Sequence, residues 1–320
     1  MAITLGVDFG TRNIEICDKE RGIVLREPNV AAVDTKGNVI AVGTEALLIR
    51  GRAPGTVTIR RPIVDNNITD FNLAAEILDH CLEIAAPRAK KHILVAAKQD
   101  FGSRNRELLT RALGDCRTGK ITLVESAVAA YLGCGLTADE SERETNGGTI
   151  ICDIGAGSVE SSYIRAGELM RTESIPGGTD SADAAMIAYI RRKYGLAITS
   201  ADAREAKHLL SLINLTPEPI SFSGIDGATG MPRRITVPAE ELLNKCTPYI
   251  DDVINITTSI LKNLPRQRGE ESVADRIILV GGGALTEGID DHLSEIFGRE
   301  ITVADEPLDA TARGLISMLS

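Results

Sequence analysis

The first third of the chain is a succession of short apolar or alternating runs broken by turn residues, the pattern of strands rather than of long helices. Such runs cover residues 3–7, 14–18 and 22–25. Residues 31–34 and 39–42 flank Thr35-Lys36-Gly37-Asn38, whose Gly and Asn suit a hairpin turn. Asp70 is placed to cap a helix with apolar positions at Leu73, Ile77 and Leu78. A buried strand is expected over 92–97, a helix over 103–113, a strand over 121–124 and an Ala-rich helix over 126–133.

The stretch 137–148 is polar and poor in apolar residues, which makes it the best candidate for a boundary between domains. A second strand set opens at Thr149. A helix is expected over 181–194, with Ala184, Ile187, Ala188 and Ile190 among polar positions. Arg191, Arg192 and Lys193 complement its C-terminal end, and Gly195 stops it. The pattern continues with a helix over 201–213, an irregular hairpin over 220–237 around Asp226-Gly227, and a long helix over 240–264. A last strand, 276–280, runs into Gly281-Gly282-Gly283. Strands alternating with helices imply an α/β sheet architecture.

Length and composition narrow the function. A chain of 320 residues has room for about two domains. Aromatics are 3% and Trp is absent, which argues against binding bases or glycans by stacking. A net charge of −10 argues against nonspecific nucleic-acid binding. The six cysteines form no C-x-x-C pair and sit mostly in apolar runs, as reduced core thiols do. Met1 runs almost at once into a strand, leaving no room for a signal peptide, and no apolar run approaches the ~18 residues that span a membrane.

The candidate chemistry lies in a loop that occurs twice. Leu5-Gly6-Val7-Asp8-Phe9-Gly10-Thr11-Arg12-Asn13 ends an apolar strand with a carboxylate and a glycine turn. Thr149-Ile150-Ile151-Cys152-Asp153-Ile154-Gly155-Ala156-Gly157-Ser158 does the same. Glycine turns can point several N–H groups at one anion. Asp8 and Asp153 would repel phosphates directly, so their fitting partner is a hydrated Mg2+. Alone, each Asp-X-Gly is an ordinary turn; as a pair after apolar strands they suggest a nucleotide clamp. Gly281-Gly282-Gly283-Ala284 reads either as a tight strand-to-helix turn or as a bare backbone surface for a nucleoside.

With these three loops in this order, the chain resembles the actin-like ATPases, the superfamily of actin, sugar kinases and the heat-shock chaperone ATPase domain. Within it the chain is most similar to the MreB family of bacterial actins. Further matching segments are Gly22-Ile23-Val24-Leu25-Arg26-Glu27-Pro28, Ala41-Val42-Gly43-Thr44-Glu45-Ala46, Arg61-Pro62-Ile63, Ile68-Thr69-Asp70-Phe71, Ile190-Arg191-Arg192-Lys193-Tyr194 and Asp305-Glu306-Pro307-Leu308. The resemblance implies an α/β, actin-like (ribonuclease H-like) two-domain fold with ATP or ADP and Mg2+ in a cleft between the domains. Domain I would cover 1–145, with 305–320 returning to it, and domain II 146–304, with a smaller subdomain at about 180–250. Asp8, Gly10, Thr11, Arg12 and Asn13 would form the first phosphate loop. Asp153, Gly155, Ala156, Gly157 and Ser158 would form the second, and Gly281 to Ala284 the adenosine loop. The resemblance also implies head-to-tail filaments, a heterologous contact that does not close. Such filaments are often paired and lie at the inner membrane face of the cytoplasm, where peripheral-membrane or membrane-protein partners would meet them, serving cell shape or intracellular organisation.

The match departs from the family at several points. The family usually has a water-orienting Glu where Ser126 stands, with Ala127 for the following Pro; Glu125 is one position earlier. One residue rotates a helical side chain by about 100°. Either hydrolysis is slow or uses Glu125, or the loop shifts. Ala156 replaces a Gly and Ser158-Val159 two Thr, with the Ser158 hydroxyl kept near the γ-phosphate or its water. Lys207 is either a contact to adenine or ribose or a solvated helix lysine. Ala85-Ala86-Pro87-Arg88-Ala89-Lys90-Lys91 offers three cations but no bulky apolar residue for membrane insertion. The alternative function is a non-filamentous actin-fold ATPase, a chaperone or reactivating factor. Against the chaperone stands the absence of a long substrate-binding domain before Ser320.

Overall fold

The strand Lys90–Ala97 carries apolar side chains on both faces, so a stable fold must cover it twice. The computed structural model does so, and it describes residues 2–49, 55–137, 147–213, 218–264, 266–267, 270–271 and 273–319. Most of the polar stretch 137–148 lies outside the described residues. The chain divides into two compact units: Met1–Gly147 with Ile164–Thr172 and Leu308–Ser320, and Gly148–Tyr163 with Glu173–Pro307.

The first unit is built on a five-stranded sheet in the order Thr118–Glu125, Lys90–Ala97, Ala2–Phe9, Asn13–Asp18, Gly22–Pro28. The first three strands are parallel, and the last two join as antiparallel neighbours. On one face Leu5, Val7, Ile93 and Val95 pack with Ile77, Leu78 and Leu109 of the helices Phe71–Ala85 and Gly102–Gly114. Burying each such side chain contributes about 1.5–3 kcal/mol. Asp70 caps the first of these helices, its carboxylate accepting from the Leu73 N–H at 3.2 Å. On the other face Cys17, Ala96, Ala129 and Leu315 form a second cluster, under the helices Ser126–Gly133 and Ala310–Met318. These helices meet backbone to backbone: a Cβ on Gly133 would collide with the Ala310 carbonyl, and one on Gly314 with the Ala129 carbonyl. A small antiparallel sheet of Val39–Val42, Ala31–Asp34 and Val57–Arg60 completes the unit. Its expected hairpin turn forms with Asp34 accepting from the N–H groups of Lys36 and Asn38, at 2.8 and 2.9 Å.

A second five-stranded sheet has the order Glu168–Pro176, Ser158–Arg165, Thr149–Ile154, Arg276–Val280, Ile301–Val303, of which 164–165 and 168–172 are counted with the first unit. The last three strands are parallel. A smaller sheet follows, of Leu196–Ala197, Ile220–Asp226 and Pro232–Val237.

Three expected helices differ from those found. The helix expected over 201–213 spans Ser200–His208, because the chain then leaves it to pair with Glu287 through Ser211 and Leu212. The one expected over 240–264 is two, Ala239–Cys246 and Pro248–Lys262. Pro248 has no N–H to donate back and its ring obstructs the preceding turn, so it opens a new helix instead. The helix expected over 181–194 begins earlier, at Gly178.

Cys17, Cys81, Cys116, Cys134 and Cys152 are thiols outside any disulfide, and burial pushes the first three up to about 12. Thiols held that far above neutrality are poor nucleophiles. No helix among the described residues is long and apolar enough to cross a membrane. Of the three cations expected on the 85–91 turn, Lys91 is fully buried and bonded to Glu83 at 2.6 Å, so only Arg88 and Lys90 are exposed.

Candidate functional site

In the first unit Asp8 stands at the carboxyl end of a parallel strand, opposite Ala96 on one side and Glu15 on the other. Carboxyl ends of parallel strands are where α/β sheets bind ligands, because the loops there are free of the sheet ladder. The loop that follows closes on itself, with the Gly10 N–H donating to the Asn13 carbonyl at 3.0 Å. Asn29, fully buried, pins it from beneath. Its backbone N–H reaches the Arg12 carbonyl and its side-chain amide the Gly10 carbonyl, each at 2.8 Å. Sequence reasoning missed Asn29, whose only mark was an Asn directly after the Pro that ends a strand.

Glu125 ends the outer parallel strand of the same sheet, paired with Ala97. One strand separates it from the Asp8 strand, which places the two backbones roughly 10 Å apart. Its carboxylate is bound by Arg106 at 2.7 Å, and Arg106 also donates to the Lys98 carbonyl at 2.8 Å. With its amide NH2 turned toward Glu125, Gln99 donates to both carboxylate oxygens, at 2.9 and 3.2 Å. Ser126 opens the next helix with 7% of its surface exposed, and its buried hydroxyl has no hydrogen-bond partner among the described residues. The two candidates at this edge therefore differ: the carboxylate is engaged and the hydroxyl is not.

In the second unit Asp153 pairs in register with Val280, so its loop and the Gly281–Ala284 turn leave adjacent parallel strands at the same edge. They are in close contact. A Cβ on Gly281, where φ is +81°, would lie 2.5 Å from the Asp153 carboxylate. A Cβ on Gly283 would strike the Ile154 side chain. The loop itself folds back with the Gly155 N–H on the Ser158 carbonyl at 3.0 Å. Beneath it sits the start of the helix Gly178–Tyr194. Thr179 N–H donates to the Gly155 carbonyl and Asp180 N–H to the Ala156 carbonyl, both at 2.9 Å. Gly177 N–H reaches the Gly157 carbonyl at 2.8 Å. A Cβ on Gly178 would collide with the Gly155 carbonyl and crowd that of Ala156 and the Ser158 nitrogen, and its φ of +43° also favours glycine. The Gly177-Gly178 pair was the readable signal for this junction, and it went unused.

Lys207 lies inside this unit, 9% exposed. Its ammonium bonds the Asp183 carboxylate at 2.6 Å and the Thr179 carbonyl at 3.1 Å. Asp183 is 3% exposed, with Arg204 a further 4.0 Å from its second oxygen. The structure thus joins Asp153, Gly155–Ser158 and Gly281–Ala284 at one sheet edge, and Asp8, Gly10–Asn13, Glu125 and Ser126 at another. Lys207 reaches its loop through Thr179. Among the described residues, no group of three or more His, Cys, Asp or Glu side chains comes together in a way that could hold a metal ion alone.

Comparison with known proteins identifies a family. The family model for MreB/Mbl protein matches residues 2–320. The cell shape-determining protein Mbl of Bacillus subtilis (strain 168) is 30% identical over 321 residues, covering 98% of this chain and 95% of the relative. The cell shape-determining protein MreB of Escherichia coli (strain K12) is 30% identical, covering 97% of this chain and 91% of the relative. Among solved structures, MreB5 of Spiroplasma citri bound to ADP superposes with a TM-score of 0.86 at 25% identity, covering 98% of this chain and 95% of that one. The same protein bound to AMPPNP gives 0.84, again at 25% identity, 98% of this chain and 95% of that one. The fold is actin-like, and the chain belongs to the MreB/Mbl family.

Proposed function

We propose that this chain is a bacterial actin-like cytoskeletal protein that binds ATP with Mg2+, assembles head to tail into filaments and serves cell shape from the cytoplasm. The observation that carries the reading is the match over 2–320 to a family whose relatives are named cell shape-determining proteins, with both Asp loops and the glycine turn in place. The neighbouring MreB5 structures hold AMPPNP and ADP, which supports nucleotide as the ligand. The Gly10 and Gly155 N–H groups close their own loops, so in this reading the other N–H groups of residues 10–13 and 155–158 take phosphates, and Gly281–Ala284 takes the nucleoside. Each loop offers one carboxylate, a hard oxygen donor that suits a water-rich Mg2+ with phosphate ligands. Asp8 and Asp153 would hold it through water, and the ion neutralises phosphate charge when bound. In this reading domain I of the actin-like fold would correspond to the first unit and domain II to the second, with the small sheet at 196–237 as a subdomain of the second; the first unit also takes in Ile164–Thr172, which the expected bounds gave to domain II.

Hydrolysis is slow in this reading. Glu125 is neutralised by Arg106, and Ser126 brings a hydroxyl too weakly basic to deprotonate water. Phosphate release is expected to be slow in the parent and little changed by Glu125→Ala; rapid turnover abolished by Glu125→Ala would give that carboxylate the water-orienting role. Sedimentation and electron microscopy with ATP test the function as a whole. Filaments are expected, and no polymer at any nucleotide, salt or protein concentration would overturn it.

A further inference from the structure

We propose that Lys207 is a positioning residue for the second phosphate loop rather than a contact to the nucleoside. This rests on the nucleotide reading above. The ammonium sits between the Asp183 carboxylate and the Thr179 carbonyl, at 2.6 and 3.1 Å, and both side chains are more than nine-tenths buried. Thr179 and Asp183 lie on the first two turns of one helix, so a single cation ties together two levels of it. That helix start is the floor of the loop: the peptide N–H groups of Gly177, Thr179 and Asp180 hold the carbonyls of Gly157, Gly155 and Ala156.

The physical consequence is a fixed orientation of the loop. With their carbonyls held down by the helix, the peptide units at 155–157 cannot flip to present oxygen to an anion. Thr179 is the joint, since its N–H holds Gly155 while its carbonyl is held by Lys207. It also touches the glycine turn, because a Cβ on Gly283 would come within 3.0 Å of the Thr179 methyl. A buried ion pair is seldom a net source of stability, yet removing one partner leaves a costly uncompensated charge. Its value here is in holding one register of helix against loop.

The test is nucleotide affinity in Lys207→Met, Asp183→Asn and the double variant Lys207→Met/Asp183→Met, with ATP, GTP and inorganic tripolyphosphate as probes. Lys207→Arg serves as the conservative rescue. A positioning role predicts that both single variants weaken all three probes by a similar factor, roughly tenfold for one charged hydrogen bond. The ATP-to-GTP ratio stays at the parent value. Lys207→Arg recovers most of the affinity, and the double variant loses less than the product of the singles. The double variant also removes both charges, which keeps a folded protein available if the singles fail to fold. A shifted ATP-to-GTP ratio in Lys207→Met with unchanged affinity in Asp183→Asn would overturn the proposal and make Lys207 a base contact. Equal affinities in every variant would overturn it as well. A parent protein that binds none of the probes would instead defeat the nucleotide reading on which it stands.

Discussion

The two Asp-Gly loops share a strand, a carboxylate and a turn, yet they are anchored by different means. The first is held by one buried residue, Asn29, whose side-chain amide donates to the Gly10 carbonyl and whose backbone N–H donates to the Arg12 carbonyl. The second rests on three backbone N–H groups at the start of a helix, brought close by Gly178. A side-chain anchor can be removed by trimming one residue. A backbone anchor persists through most substitutions and fails where the approach of two main chains is blocked. Repetition of a motif therefore does not imply repetition of what secures it.

The largest expected effect comes from blocking the second anchor. Gly178→Ala forces a Cβ into the loop backbone at a φ of +43°, with an expected loss of roughly 3–5 kcal/mol from overpacking and strain. Denaturant unfolding measures it, and amide exchange at Gly155–Ser158 should rise with it. A loss below about 1 kcal/mol would mean that the loop can step away from the helix at little cost. Asn29→Ala is the corresponding break in the first unit. It removes one hydrogen bond from a fully buried amide and leaves the Gly10 carbonyl unanswered, for about 1–3 kcal/mol. Faster exchange at Gly10–Asn13 with unaltered exchange at Gly155–Ser158 would separate the two anchors experimentally.

The smallest effect probes the far end of the helix that carries the second anchor. There Glu241 accepts from Lys193, Tyr189 and Tyr194, at 2.6, 2.6 and 2.9 Å. The Lys193 ammonium, then the tyrosine hydroxyls, bring the carboxyl down from 4.5 to about 2. A depressed carboxyl contributes stability that is present above its unfolded value and lost as pH falls toward the folded one. Tyrosine near-ultraviolet dichroism should therefore weaken between about pH 4.5 and 2 in the parent, and less steeply in Glu241→Gln. Superimposable acid profiles would show that this cluster is too exposed to matter.

Much of the sheet framework was readable, for a physical reason. Strands such as 31–34, 39–42 and 276–280 are short, apolar and bracketed by turn residues, so local pattern and burial agree. Asp70 was readable as a cap because its partner is three residues away. The anchors were harder because they depend on distant pairings. Asn29 serves a loop 19 residues earlier, and Lys207 meets a carboxylate 24 residues earlier. Lys91 looked like a solvated turn cation, and only the fold brings Glu83 over it. The helix that ends at His208 is cut short by a bridge to Glu287, which no local periodicity foretells.

The contact of Ala310–Met318 with Ser126–Gly133 has a consequence for synthesis. The second cluster of the first unit needs Leu315 against Ala129, so its strands and helices emerge from the ribosome long before the segment that seals them. Residues 148–163 and 173–307 are complete earlier than their host, which reverses the order of emergence. A nascent chain arrested short of Gly314 would carry Cys17, Ala96 and Ala129 without Leu315 and Leu319 to cover them.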